Sequence, residues 1–62
     1  MPIITLEMGP LSNEQKEKLI AAFTRDACEV TGMPPEAMIV LIYELSRDNM
    51  GMGGQQFSKM KR

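Results

Sequence analysis

The strongest indication of how this chain folds is the segment Met38-Ile39-Val40-Leu41-Ile42-Tyr43-Glu44-Leu45. Its apolar side chains follow one another almost without interruption, over a length typical of a strand rather than of a helix. Successive side chains of a strand point to opposite faces, so this run predicts a strand that is covered on both faces. We therefore place the second strand of the fold at about residues 38–45.

An earlier strand is predicted at about residues 3–8. Proline cannot donate a backbone hydrogen bond, so Gly9-Pro10 ends this segment. The alternation of side chains predicts two faces, with Ile4, Leu6 and Met8 on one and Ile3, Thr5 and Glu7 on the other.

One long helix is predicted between the strands, at about residues 13–31. Ser12 and Gln15 have the spacing of a capping box, and Glu14 lies in the first turn, where the helix dipole favours a negative charge. Gly32 suits the position after the helix, and Pro34-Pro35 prevents its continuation. The apolar side chains expected to pack on the sheet recur at helical spacing: Leu19, Ile20, Phe23, Ala27 and Val30.

This order of elements predicts an α/β (α+β) fold built on one βαβ unit with parallel strands and a right-handed crossover. One helix covers one face of the sheet, so the other face, which includes Ile3, needs another chain. A chain of 62 residues also buries only about 60% of the surface that its unfolded form exposes. We expect a single domain over residues 1–62 whose sheet is completed by self-association.

The C-terminal part predicts a β-hairpin at about residues 50–58. Gly53-Gly54 suits a two-residue hairpin turn. An isolated hairpin is marginally stable in water, so we expect this one to lie on a neighbouring subunit. A phosphate-binding loop is the competing interpretation of the glycines, but no Lys-Ser/Thr follows them and they do not lie between a strand and a helix.

The composition excludes several classes of chemistry. The chain has no histidine and a single cysteine, Cys28, so it lacks a catalytic triad, an intrachain disulfide and the ligands of a structural zinc site. A net charge of −1, with acidic and basic residues interspersed, offers no broad basic face to nucleic acid. No apolar run approaches the roughly 20 residues of a membrane span, and no signal-peptide pattern is present. We expect a soluble cytoplasmic protein.

The residue with the most distinctive chemistry is Pro2. If the initiating Met1 is removed, as is usual before a small residue, the Pro2 nitrogen becomes a secondary amine fixed at the start of a strand. An amine at a chain terminus titrates at about 7.7–8.0, and an apolar pocket or a nearby cation lowers that pKa toward neutrality, where a general base works best. Pro2 is therefore a candidate general base; the simpler interpretation is a chain that merely begins Met-Pro.

Four segments, in this order and spacing, carry a family resemblance that covers nearly the whole chain. They are Pro2, the helix start Ser12–Glu17 followed by Leu19-Ile20, the strand end Ile42-Tyr43-Glu44, and the tail Gly51–Gly54. With them the chain resembles the 4-oxalocrotonate tautomerase family. The resemblance implies a βαβ subunit with a C-terminal hairpin, assembled as a homohexamer of three dimers. It also implies that Pro2 moves a proton between two carbons of an unsaturated 2-oxo or 2-hydroxy acid, without a cofactor.

The chain departs from the family pattern in the substrate pocket. Family members that act on dicarboxylates carry an arginine just before the helix-capping serine, where this chain has Leu11. A second family arginine aligns with Ile39, and an aromatic residue aligns with Met50. The segment before the helix is also about one residue short. The family arginines hold substrate carboxylates and stabilise the enolate, so the departures imply a substrate that depends less on paired carboxylate contacts.

Several interpretations of the site stay open. Arg47 is the first candidate to supply a cation across a subunit boundary, followed by Arg25 and the tail 59–62, although each also fits a solvated surface charge. The missing arginines suit a structural or ligand-binding subunit without activity. A third interpretation uses the Pro2 amine as a nucleophile that forms an iminium with an aldehyde or ketone.

Overall fold

A computed structural model of the chain describes residues 1–60. The two longer strands are β1, Ile3–Met8, and β2, Ile39–Glu44, and the helix α1, Asn13–Thr31, lies between them in sequence. The tail contains the short strands β3, Gly51–Met52, and β4, Gln55–Gln56. Single turns of 3-10 helix occupy Pro35–Ala37, Arg47–Asn49 and Phe57–Lys59. The predicted βαβ unit with a C-terminal hairpin is confirmed.

β1 and β2 pair in parallel, as the crossover argument requires. The register runs from Ile3 opposite Ile39 to Met8 opposite Glu44. The ladder ends with the Leu45 N–H, which donates to the Met8 carbonyl at 2.8 Å. The predicted strand was one residue longer at each end than β2. At its beginning, the Met38 N–H donates to the Pro35 carbonyl, so a 3-10 turn takes that amide out of the sheet.

The ends of α1 are fixed by the predicted caps. The Gln15 N–H donates to the Ser12 hydroxyl at 3.1 Å, and the Ser12 N–H donates to the Gln15 side-chain oxygen at 3.0 Å. At the other end, Gly32 adopts a left-handed conformation with φ of 78°, and its N–H donates to the Cys28 carbonyl. These three bonds satisfy backbone groups that the helix itself leaves without partners.

The apolar stripe of α1 packs less completely than its spacing predicts. Leu19, Phe23 and Ala27 are half-buried, whereas Ile20 is 42% exposed and Val30 is 85% exposed. The prediction that Val30 packs on the sheet is wrong for the single chain. A helix of 19 residues rises about 28 Å, and a strand of six about 20 Å, so the last turn of α1 has no strand residues to match it.

The face of the sheet away from α1 is uncovered. Ile3 is 55%, Leu41 is 37% and Tyr43 is 49% exposed, and no side chain of residues 1–60 is fully buried in a single chain. The radius of gyration is 15.2 Å, against roughly 10–11 Å for a compact domain of this length. A single subunit therefore lacks a closed core.

The C-terminal hairpin turns at Gly53 and Gly54, both with positive φ, 63° and 81°. Glycine has no Cβ and adopts such conformations at little cost, so a Gly-Gly pair suits this turn. β3 and β4 pair antiparallel, as predicted. In the described part of the chain, no helix has both the length and the apolarity needed to cross a membrane.

Candidate active site

Pro2 lies immediately before β1, at the N-terminal end of the sheet. Its carbonyl accepts the N–H of Ile39 at 3.1 Å, so the backbone of Pro2 is fixed by the first hydrogen bond of the sheet. The Pro2 side chain is half-buried, and the preceding Met1 is 87% exposed. Removal of Met1 would leave the Pro2 nitrogen attached to a fixed element and open to a ligand.

Ile39 shares this end of the sheet with Pro2. It is the first residue of β2, it is half-buried, and it lies opposite Ile3 in the register. The structure therefore brings together two of the candidate residues, the candidate base Pro2 and the candidate pocket residue Ile39.

Leu11 lies at the other end of the sheet. The register places the C-terminal ends of both strands together at Met8 and Glu44, and Leu11 follows the turn after Met8. Strands of six residues are about 20 Å long, so Leu11 and Pro2 of one chain lie at opposite ends of β1. Arg47 and Met50 follow β2 and belong to the end that carries Leu11. One chain thus holds the candidate residues in two separate groups.

Glu44 fastens the Leu11 segment. One carboxylate oxygen accepts the Leu11 N–H at 2.9 Å, and the other binds the Lys16 ammonium at 2.9 Å. The side chains of this ion pair are only 32% and 36% exposed. The Leu11 N–H bond, and then the hydrogen bond from Lys16, hold the pKa of the Glu44 carboxyl below its ordinary value. The sequence offered one signal for this residue, a lone charge near the end of an apolar strand.

Arg47 is fixed by the tail of its own chain. Its Nη2 donates to the Phe57 carbonyl at 2.7 Å, and a second bond, from the Gln56 side chain to the Asp48 carbonyl, is also 2.7 Å. By contrast, the Arg25 guanidinium is paired with Asp26 at 3.1 Å, which leaves less of its charge for a ligand. Of the tail predicted to supply a cation, residues 61 and 62 lie outside the described part.

The described candidate residues of a single chain do not surround a cavity. No enclosed cavity exists within residues 1–60 of a single chain. Pro2 therefore does not share a pocket with Leu11, Arg47 or Met50 within the described part of one chain.

Comparisons with known proteins agree with this architecture. The family model described as tautomerase enzyme matches residues 2–60. A probable tautomerase of Bacillus cereus is 36% identical over 59 residues, which are 94% of this chain and 97% of that protein. The 2-hydroxymuconate tautomerase of Pseudomonas fluorescens is 36% identical over 63 residues, with 100% of both chains covered.

A solved structure shows the same fold. The crystal structure of YwhB, a homologue of 4-oxalocrotonate tautomerase, matches this chain with a TM-score of 0.88 at 31% identity, covering 97% of this chain and 100% of that one. The sequence resemblance, the parallel βαβ unit and the family match lead to one assignment. The chain belongs to the tautomerase family of isomerases.

Proposed function

We propose that this protein, once Met1 is removed, is a cofactor-independent tautomerase in which the Pro2 amine is the general base. The observation that carries the proposal is the fixed position of Pro2, whose carbonyl binds the Ile39 N–H at the start of the parallel sheet. A base held in place by a rigid element loses little freedom when a substrate binds. Family membership supports the reaction class.

The reaction moves one proton and leaves the electron count of the substrate unchanged. The neutral amine of Pro2 accepts a proton from an enol or unsaturated 2-oxo acid, which leaves a delocalised enolate. The resulting ammonium returns the proton to a different atom, and the amine is regenerated. No oxidant, reductant or metal is required, which agrees with the cofactor-free chemistry that the resemblance implies.

The proposed active site lies between subunits of a self-associated protein. The apolar outer face of the sheet, with Ile3, Leu41 and Tyr43, would be covered by a second copy. Covering this face would also complete the core that a single chain lacks. We propose a cytoplasmic homohexamer of three dimers, the assembly that the resemblance implies, in which Pro2 of one subunit meets the Leu11 and Met50 group of another.

The pocket residues favour a substrate with at most one carboxylate. Leu11, Ile39 and Met50 are uncharged, and all three are half-buried. Moving a carboxylate out of water to a place beside such side chains, without a charged partner, is unfavourable in free energy. The Pseudomonas fluorescens relative is named for 2-hydroxymuconate, an enol with two carboxylates. For this chain the uncharged side chains favour a monocarboxylate or neutral enol instead.

The test is the ketonisation of phenylenolpyruvate, a monocarboxylate enol, followed by the loss of its ultraviolet absorbance. Protein with Met1 removed, verified by intact mass, should accelerate this reaction, and Pro2→Ala should lower kcat/KM by about ten-fold or more, because it changes the base. Equal activity of Pro2→Ala would reject Pro2 as the base. If the trimmed protein is inactive on monocarboxylate, dicarboxylate and neutral enols alike, the structural or ligand-binding role is the better account.

A further inference from the structure

The C-terminal end of the sheet carries a positive charge that is fixed but, within residues 1–60, not paired with a carboxylate. The Arg47 Nη2 donates to the Phe57 carbonyl at 2.7 Å. A carbonyl is a neutral acceptor, so this bond orients the guanidinium without cancelling its charge. A guanidinium has five N–H donors in a planar fork, and this contact uses one of them. Within the described residues no other side-chain hydrogen bond of Arg47 is found, so the remaining donors can bind an anion.

The other cationic side chains of residues 1–60 differ from Arg47 in their partners. Lys16, Lys18 and Arg25 each form an ion pair, with Glu44, Glu14 and Asp26 respectively. Within residues 1–60 no carboxylate pairs with Arg47, not even the adjacent Asp48. Lys59 is also without a carboxylate in that range, but it has none of the side-chain hydrogen bonds that fix Arg47. Arg47 is the oriented cation at this end of the sheet.

Apolar side chains adjoin Arg47 along the same hydrogen-bonded segment. The Met50 N–H donates to the Arg47 carbonyl at 3.4 Å, and the Phe57 N–H donates to the Met50 carbonyl at 2.8 Å. Met50 and Phe57 are both half-buried, whereas Arg47 is exposed. The hydrogen-bonded backbone therefore connects an exposed charged residue to two half-buried apolar residues. This combination suits a ligand with an anionic end and an apolar body.

We propose that Arg47 is the carboxylate anchor of this site, and that the ligand is a monocarboxylate with an apolar body that packs on Met50 and Phe57. The inference rests on the proposed function and names its substrate class. An arginine fork binds a carboxylate through two parallel hydrogen bonds. Leu11 and Ile39 offer no charge for a second carboxylate, so one anchor corresponds to one carboxylate. Because Arg47 follows β2, it serves the Pro2 of a neighbouring subunit.

The experiment measures binding rather than turnover. The probes are 3-phenylpropanoate and 3-phenylpropanamide, which share a body and differ in charge, and neither can enolise to a product under the assay conditions. Calorimetric titration of the assembled, trimmed protein should give a Kd for the acid about ten-fold or more below that for the amide, since a hydrogen bond to a charged group is stronger than one between neutral groups.

Three variants separate the effect of the Arg47 charge on ligand binding from the effect of its hydrogen bond on the structure. Arg47→Gln, which keeps a donor for the Phe57 carbonyl, should weaken acid binding by about ten-fold and leave amide binding unchanged. Arg47→Lys should retain part of the preference for the acid. Gln56→Met is the matched control, because it removes an equally short bond that fastens the same tail but carries no charge. The Gln56→Met variant should keep the full preference for the acid over the amide.

Equal binding of acid and amide by the unaltered protein would overturn the anchor, and so would an Arg47→Gln variant that still prefers the acid. Comparing acid and amide binding by the unaltered protein tests the Arg47 anchor even if the Arg47→Gln variant fails to fold. Turnover of phenylenolpyruvate without an acid preference would reject the anchor and keep the tautomerase. An Arg47-dependent acid preference without turnover would keep the anchor and reject the tautomerase.

Discussion

The carboxylate of Glu44 accepts the backbone N–H of Leu11 at 2.9 Å, across 33 positions of sequence. This bond closes the turn between β1 and α1 onto the end of β2. The same carboxylate holds Lys16 of α1, so one side chain joins three elements of a subunit that has no closed core of its own. The position of Leu11 in the proposed pocket follows from this contact.

The Leu11 contact should weaken in acid. The pKa of Glu44 is lowered in the folded chain, so its contribution to stability is present above the unfolded-state pKa and is lost as the pH falls through the lower, folded-state pKa. We expect the amide proton of Leu11 to shift in NMR spectra as Glu44 is protonated, and to stay constant with pH in Glu44→Gln.

Lys16→Met is the control for this titration, because it removes the ion pair and leaves the Leu11 bond. Its Leu11 amide should still titrate, at a higher pH than in the parent, because an acceptor without its cation is protonated more easily. A Leu11 amide that is insensitive to acid in the parent protein would show that the Glu44 contact does not hold this segment in solution.

Ile39→Arg should change substrate selectivity. A cation beside Pro2 would bind a second carboxylate, and such a contact is worth roughly 1.5–3 kcal/mol, or about ten-fold or more in kcat/KM for a dicarboxylate enol. The monocarboxylate enol should gain less.

Val30→Arg is the control for Ile39→Arg, since it adds the same charge at an exposed position of the helix. It should leave the ratio of the two kcat/KM values unchanged. A parent protein that already prefers dicarboxylates would contradict the assignment of a pocket with a single carboxylate anchor. Leu11→Arg is the less informative variant, because the turn before Leu11 is about one residue short.

Leu41→Lys should prevent self-association. Leu41 lies on the uncovered face of the sheet, where an unpaired ammonium would be buried by a second subunit. Sedimentation velocity at micromolar concentration should show smaller species than the parent. Val30→Lys, which adds the same charge on the exposed side of α1, should sediment like the parent. A parent protein that sediments as a folded monomer would refute the association itself.

The main elements could be predicted because their causes are local. The capping pair of Ser12 and Gln15 and the Gly32 cap place α1 within the predicted bounds, and the two positive-φ glycines place the hairpin turn. Parallel pairing followed from the order of elements together with the uninterrupted apolar run of β2. Each of these signals acts over a few residues or through one strong handedness rule.

The contacts that shape the site could not be predicted, because they join distant residues. Nothing near Glu44 in sequence indicates that it binds Leu11, and nothing near Arg47 indicates that it binds the Phe57 carbonyl. The three 3-10 turns were also missed, since three residues are too few to show a period. The exposure of Val30 depends on the difference in length between helix and strands, which a stripe of apolar residues does not reveal.

The free amine of Pro2 is the proposed general base, so blocking that amine should remove most of the activity. The same sequence is prepared with Met1 removed and with Met1 retained, each form verified by intact mass, and kcat/KM is measured on phenylenolpyruvate. Retained Met1 turns the Pro2 nitrogen into an amide with no basicity. The kcat/KM of the form that retains Met1 should therefore be lower than that of the trimmed form by about 10²–10⁴-fold, the contribution of a general base. Equal activity of the two forms would show that the free Pro2 amine is not the general base.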